Sequence, residues 1–115
     1  MSRRLLSAFW IAAGINHFRR PGFYEAIVPP PLHTRKQEVV AVSGVAELIG
    51  GAAVMMRPTR RLSGVYLVAL LAAIFPANLY MAMRPERFKR FPRWALYARL
   101  PFQPLMMMWA WRATR

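Results

Sequence analysis

Three long apolar runs alternate with short basic stretches along the chain. Val39–Met56 is interrupted only by Glu47, Leu62–Met83 contains no charged residue, and Trp94–Trp111 contains only Arg99. Uninterrupted runs of about 18 or more apolar residues are the signature of membrane-spanning helices. Leu5–Phe18 is shorter, ~21 Å as a helix, and carries His17 near its end. Tilt, local bilayer thinning or a few residues from its polar flanks would let it span as well. The pattern therefore predicts an all-α fold, a four-helix transmembrane bundle in a single domain over residues 1–115, with spans at about 4–19, 39–56, 62–83 and 94–111. The longest connection, Pro21–Glu38, holds Phe23, Ile27 and Val28 ahead of Pro29, Pro30 and Pro31. That spacing predicts a short interfacial helix ended by the prolines. Arg57–Arg61 is a tight basic turn, and Arg84–Arg93, with Phe88 and Phe91, is a basic loop expected at the lipid headgroups. Two arginines before the first apolar stretch resemble a signal peptide. The small-residue cleavage pattern is poor, however, and His17, Arg19 and Arg20 follow directly, so the segment reads as a retained helix.

Composition agrees with this reading. The hydrophobic fraction is 57%, above the roughly 45–50% of soluble domains. The formal charge of +13 could suit a nucleic-acid partner, but its distribution argues otherwise. Arginines bracket the apolar runs instead of forming one patch, as snorkelling and anionic headgroups favour. The lipid bilayer is the expected partner, and nucleic acid is not. Orientation stays open, because seven basic residues fall to one side of a four-span layout and nine to the other. There is no cysteine, which removes disulfides, thiolate metal sites and any thiol relay within the chain.

The polar residues inside the runs carry the functional question. A carboxylate at membrane depth costs several kcal/mol, by about 2.5–3.5 on insertion scales, and persists only where a partner faces it. With four spans, the ends of the first and third meet the starts of the second and fourth on one face. His17 lies at that face, Asn78 and Arg99 ~8 Å below it, Glu47 ~12 Å below it, and Gln103 one turn beyond Arg99. All five fall in one half of the bilayer or at its edge, which predicts one polar pocket opening toward the longest loop. Arg99 and Gln103 share a helix face, as do Ser43, Glu47 and Gly51, and small residues beside Glu47 permit close helix approach. Pro76, Pro101 and Pro104 free the carbonyls of Ala72, Tyr97 and Leu100, which need other donors in lipid. Glu47 and Arg99 are the expected ion pair. Their cluster is either a ligand pocket or a clasp between helices. Met106, Met107 and Met108 point around a helix and read as packing in preference to copper ligation. A single membrane histidine gives no case for bis-ligated haem, and no metal, nucleophile or phosphate-loop motif is present.

Several strings resemble the DoxX-like family of small membrane proteins: Gly14-Ile-Asn-His17-Phe18, Pro21-Gly-Phe-Tyr24, Ile27-Val-Pro29-Pro30, Ser43-Gly44 with Glu47, Phe75-Pro76-Ala77-Asn78, and Arg99-Leu-Pro101-Phe-Gln103. They occur in order over nearly the whole chain. The resemblance implies a four-helix integral membrane protein, with some members linked to quinone-linked oxidation or oxidative-stress responses and a related protein resembling an assembly chaperone. The resulting expectation is a quinone-like ligand held by His17, Glu47, Asn78, Arg99 and Gln103, in an accessory subunit of a membrane redox system. The expected setting is a multi-pass protein of a bacterial plasma membrane, with a membrane or peripheral redox partner or a second copy of the chain beside it. The competing expectation is a non-enzymatic assembly factor or scaffold whose polar cluster is a structural clasp.

Overall fold

The computed structural model describes residues 2–84, 86 and 92–115, with only the backbone described at Arg93 and Leu96. Five α-helices follow in order: α1 (Arg3–Arg19), α2 (Pro21–Ala26), α3 (Lys36–Met55), α4 (Arg60–Met83) and α5 (Arg93–Ala113). No strand occurs among the described residues. The basic loop expected at Arg84–Arg93, with Phe88 and Phe91, lies largely outside the described residues.

Local chemistry sets the ends of these helices. The Ser2 hydroxyl accepts the Leu5 N–H at 3.1 Å, capping α1. Pro21 opens α2, where its missing N–H costs nothing. A 3-10 stretch at Pro30–Arg35 then leads into α3, whose first turn carries Glu38 at the positive end of the helix dipole. At the far end of α3, the Thr59 hydroxyl donates to the Ala53 carbonyl at 2.8 Å and Arg60 Nε donates to the Val54 carbonyl at 3.3 Å. These two bonds satisfy terminal carbonyls and turn the chain into α4.

The helices associate in two pairs, α1 on α3 and α4 on α5, with α3 against α4 joining them. Glycines set the α1–α3 spacing. A Cβ added at Gly14 would lie 2.8 Å from the Gly44 carbonyl oxygen, and one at Gly51 would lie 3.1 Å from the Ser7 carbonyl oxygen. The Ser7 hydroxyl crosses this seam to donate to the Gly51 carbonyl at 2.7 Å. Between α3 and α4, the Tyr66 hydroxyl donates to the Ala46 carbonyl at 2.7 Å.

The core is unevenly distributed. Leu6, Trp10, Val54, Leu67, Leu71, Met106, Ala110 and Ala113 form one buried cluster. They come largely from the start of α1, the end of α3, the first half of α4 and the end of α5, so that end of the bundle is closed. At the opposite end the contacts are sparser. There Ile27 packs on Met81, with Phe23, Tyr24, Ala77 and Tyr80 around them, which seats α2 against the end of α4.

Outward faces are apolar. Val45 and Ile49 on α3, Leu62, Val65, Phe75 and Leu79 on α4, and Leu5, Ile15 and Phe18 on α1 are all exposed, as are Leu105 and Met108 on α5. Among the described residues, two helical stretches, Pro30–Met55 and Arg57–Met83, are long and apolar enough to cross a membrane. The expectation of four spans thus stands at two by length and composition. α1 has 17 residues with arginines at both ends, and α5 carries Arg99, Gln103 and two internal prolines.

Candidate functional site

Between the two helix pairs lies a cleft of about 810 Å³, whose floor includes Trp10, Leu71 and Met106 of the main core. This is within the roughly 300–1,000 Å³ range of small-molecule sites. Phe9, Leu70, Ile74, Phe102 and Met106 supply apolar walls, and Ile27, Val28 and Leu32 border it from the connection after α1. His17, Glu47, Asn78, Arg99 and Gln103 all line it.

One polar wall is built by the α1–α3 seam. Glycine at position 44 lets α1 lie close: a Cβ there would meet the His17 Cβ at 2.9 Å and the Phe18 ring at 2.8 Å. One helical turn on from Gly44, Glu47 then comes into reach of the imidazole. His17 Nε2 and Glu47 Oε2 are 3.0 Å apart, with both side chains buried. The other imidazole nitrogen, Nδ1, is 2.8 Å from the Ala13 carbonyl oxygen. A carbonyl only accepts, so Nδ1 carries a hydrogen. The short Nε2–Oε2 contact then needs one further proton, on the imidazole or on the carboxyl. In either form the dyad is neutral overall, which is how a carboxylate survives so much burial. Ser43 Oγ, one turn before Glu47, donates to the same Oε2 at 3.5 Å.

Tyr24 stacks on His17 with ring centroids 3.8 Å apart and planes 19° from parallel. Asn16 Nδ2 donates to the Tyr24 hydroxyl at 2.7 Å. The sequence reading singled out neither Asn16 nor Tyr24 as a site residue. Both lie within the strings that carry the family resemblance, Gly14–Phe18 and Pro21–Tyr24, but nothing in their spacing marks a contact with the imidazole.

The opposite wall belongs to α4 and α5. Asn78 Nδ2 donates to Gln103 Oε1 at 2.8 Å, and Arg99 Nε donates to Asn78 Oδ1 at 3.1 Å. Gln103 Nε2 donates to the Leu71 carbonyl. That acceptor is the neighbour of the Ala72 carbonyl, which Pro76 deprives of its helical donor. Asn78 and Gln103 are buried, whereas Arg99 is exposed at the margin of the cleft.

The expected Glu47–Arg99 ion pair is not formed. Glu47 pairs with His17, and Arg99 bonds Asn78. The reason is the pairing of helices: α1 takes the flank of α3, while α5 seats on α4 and presents Arg99 from the facing wall. The three methionines also separate by position on the helix. Met106 is in the core, Met107 is partly buried and Met108 faces outward.

Residues 6–114 match the family described as Domain of unknown function (DUF8561). Neither a curated protein nor a solved structure matches the chain.

Proposed function

The chain belongs to the DUF8561 family, and we propose that it is a multi-pass membrane protein binding a small, quinone-like amphipathic molecule as an accessory subunit of a membrane redox system. The observation that carries this reading is a buried His17–Glu47 pair, 3.0 Å apart, bordering an apolar cleft of ligand size. A polar group with proton-exchange capacity beside apolar walls suits a carbonyl-bearing head on a hydrophobic body. The dyad handles the proton. Without a cysteine in the chain, electrons would come from or go to a partner protein or its cofactor.

The proposal includes four spans in a DoxX-like arrangement. Its support is the apolar outward face of α1 and α5 as well as of α3 and α4; an amphipathic bundle in water would turn charged faces outward. Trp94 and Trp111, exposed near the two ends of α5, suit the interfacial positions that tryptophan prefers.

A second reading, an assembly factor with a structural clasp, has its own support. Asn78 and Gln103 spend hydrogen bonds on each other and on Leu71, which fastens α4 to α5. One experiment separates the two readings: purification of wild type and Glu47→Gln in native lipid discs, followed by mass spectrometry of extracted lipids and quinones. The binding reading expects a carbonyl-bearing molecule with wild type and its loss from a folded Glu47→Gln protein. Wild type carrying bulk lipid alone would overturn it and favour the clasp.

A further inference from the structure

Among the described residues, the ionisable side chains lining the cleft are His17, Tyr24, Arg35, Glu38, Glu47 and Arg99. Four of them offset one another. Arg35 and Glu38 lie 3.9 Å apart on the exposed rim. The short contact between His17 Nε2 and Glu47 Oε2 holds a proton, so Glu47 brings no net charge. Arg99 is the cation left over, and no carboxylate among the described residues lies within ion-pair distance of it.

The Arg99 side chain is both accessible and held. It is exposed at the cleft margin. Its Nε–H donates to Asn78 Oδ1 at 3.1 Å, and Asn78 is fixed in turn by Gln103. A guanidinium carries five N–H donors, so four remain on the two terminal nitrogens. Fastening α4 to α5 does not require them, because Asn78, Gln103 and the Leu71 carbonyl make that connection themselves. An arginine inside an apolar span is costly, which makes its retention here informative.

Tyr24 approaches from the other wall. Its half-buried ring lines the cleft, stacked on His17. Its phenol is near enough to the Arg99 guanidinium for the two to interact electrostatically. The hydroxyl accepts the Asn16 Nδ2 hydrogen at 2.7 Å. Its own hydrogen has no acceptor among the described residues.

We propose that Arg99 and Tyr24 together receive an oxyanion of the bound molecule, with the terminal N–H groups of Arg99 and the O–H of Tyr24 as donors. The ligand is then an acidic amphiphile. Its ionised oxygen sits at the cleft margin and its apolar body lies along Ile74, Phe102 and Met106. A planar guanidinium fork suits a two-oxygen anion better than a neutral carbonyl. This rests on the reading of the cleft as a small-molecule site. It narrows the ligand to one with an ionisable oxygen, carried on a quinone ring or as a carboxylate.

The test uses the full chain in discs of zwitterionic lipid, with protein-free discs as reference. Three probes of equal chain length are titrated: an alkyl 2-hydroxy-1,4-naphthoquinone, its neutral 2-methoxy ether and a fatty acid. The hydroxyquinone should bind wild type at least about tenfold more tightly than the ether, as for one charge-assisted hydrogen bond. Arg99→Gln and Tyr24→Phe should each narrow that gap. The bound hydroxyl, followed by its visible absorbance, should ionise at lower pH than in protein-free discs, and Arg99→Gln should abolish that difference. Equal binding of hydroxyquinone and ether, unchanged in Arg99→Gln, would overturn the oxyanion assignment and leave the cleft reading standing. Arg99-dependent binding of the fatty acid alone would uphold the oxyanion and overturn the quinone-like reading. If no probe binds wild type, both fall. Should Arg99→Gln fail to fold, the wild-type pH titration and Tyr24→Phe decide.

Discussion

Glu47 is tolerated because a histidine on the neighbouring helix shares one proton with it. Glu47→Ala is expected to cost about 3–5 kcal/mol, the range for breaking a buried pair, since it strips His17 Nε2 of its partner. Glu47→Gln should cost far less. Its amide can donate to a neutral Nε2 while Nδ1–H keeps the Ala13 carbonyl. Mixed-micelle SDS unfolding of the two variants checks this, and equal losses would contradict the shared-proton description. Gly44 acts at the same scale. Gly44→Ala would press on His17 Cβ and Phe18, with an expected loss of about 1–3 kcal/mol from overpacking in the same assay. Glu47 was visible in the sequence as a lone charge in an apolar run, but its partner was not. Depth along the spans points to Arg99 as the counter-ion, and only the seating of α1 on α3 brings the histidine into contact.

At the scale of elements, the two walls of the cleft differ in kind. The α4–α5 wall is a chain of hydrogen bonds from Arg99 through Asn78 and Gln103 to the Leu71 carbonyl. A double-mutant cycle with Asn78→Ala and Gln103→Ala should give a coupling energy of about 0.5–3 kcal/mol, read from unfolding midpoints. Additive losses would mean that the two amides act separately. Prolines made a local disturbance of α4 and α5 predictable. Which side chain would cross to which carbonyl depends on the relative rotation of the two helices, and periodicity does not specify that. The short helix expected after α1 is present as α2, but its packing of Ile27 on Met81 joins residues more than fifty positions apart, and no local pattern announces such a contact.

For the molecule as a whole, the uneven core divides the bundle into a closed end and an end that opens as a cleft. The long axis of 43 Å is comparable with the roughly 40–45 Å of a bilayer including its headgroups. The four-span arrangement makes a sharp prediction. Because the chain has no cysteine, single cysteines can be introduced without background. Those at Ser2, Arg57 and Arg115 should react with an impermeant maleimide from one side of sealed vesicles, and those at His33 and Glu86 from the other. Labelling of Ser2 and His33 positions from the same side would exclude α1 as a span.

The sequence by itself determined that the protein is helical, where its long apolar helices run, and that its polar residues gather toward one end, because these properties follow from composition and from residue rise along a helix. Tertiary structure decided the partners. Whether Glu47 meets His17 or Arg99 and whether Tyr24 covers the imidazole both depend on helix pairing and rotation. Those are set by long-range contacts such as Gly14 on Gly44 and Gln103 on Leu71, where close packing leaves room for one arrangement that hydrophobic patterning alone does not distinguish from its alternatives.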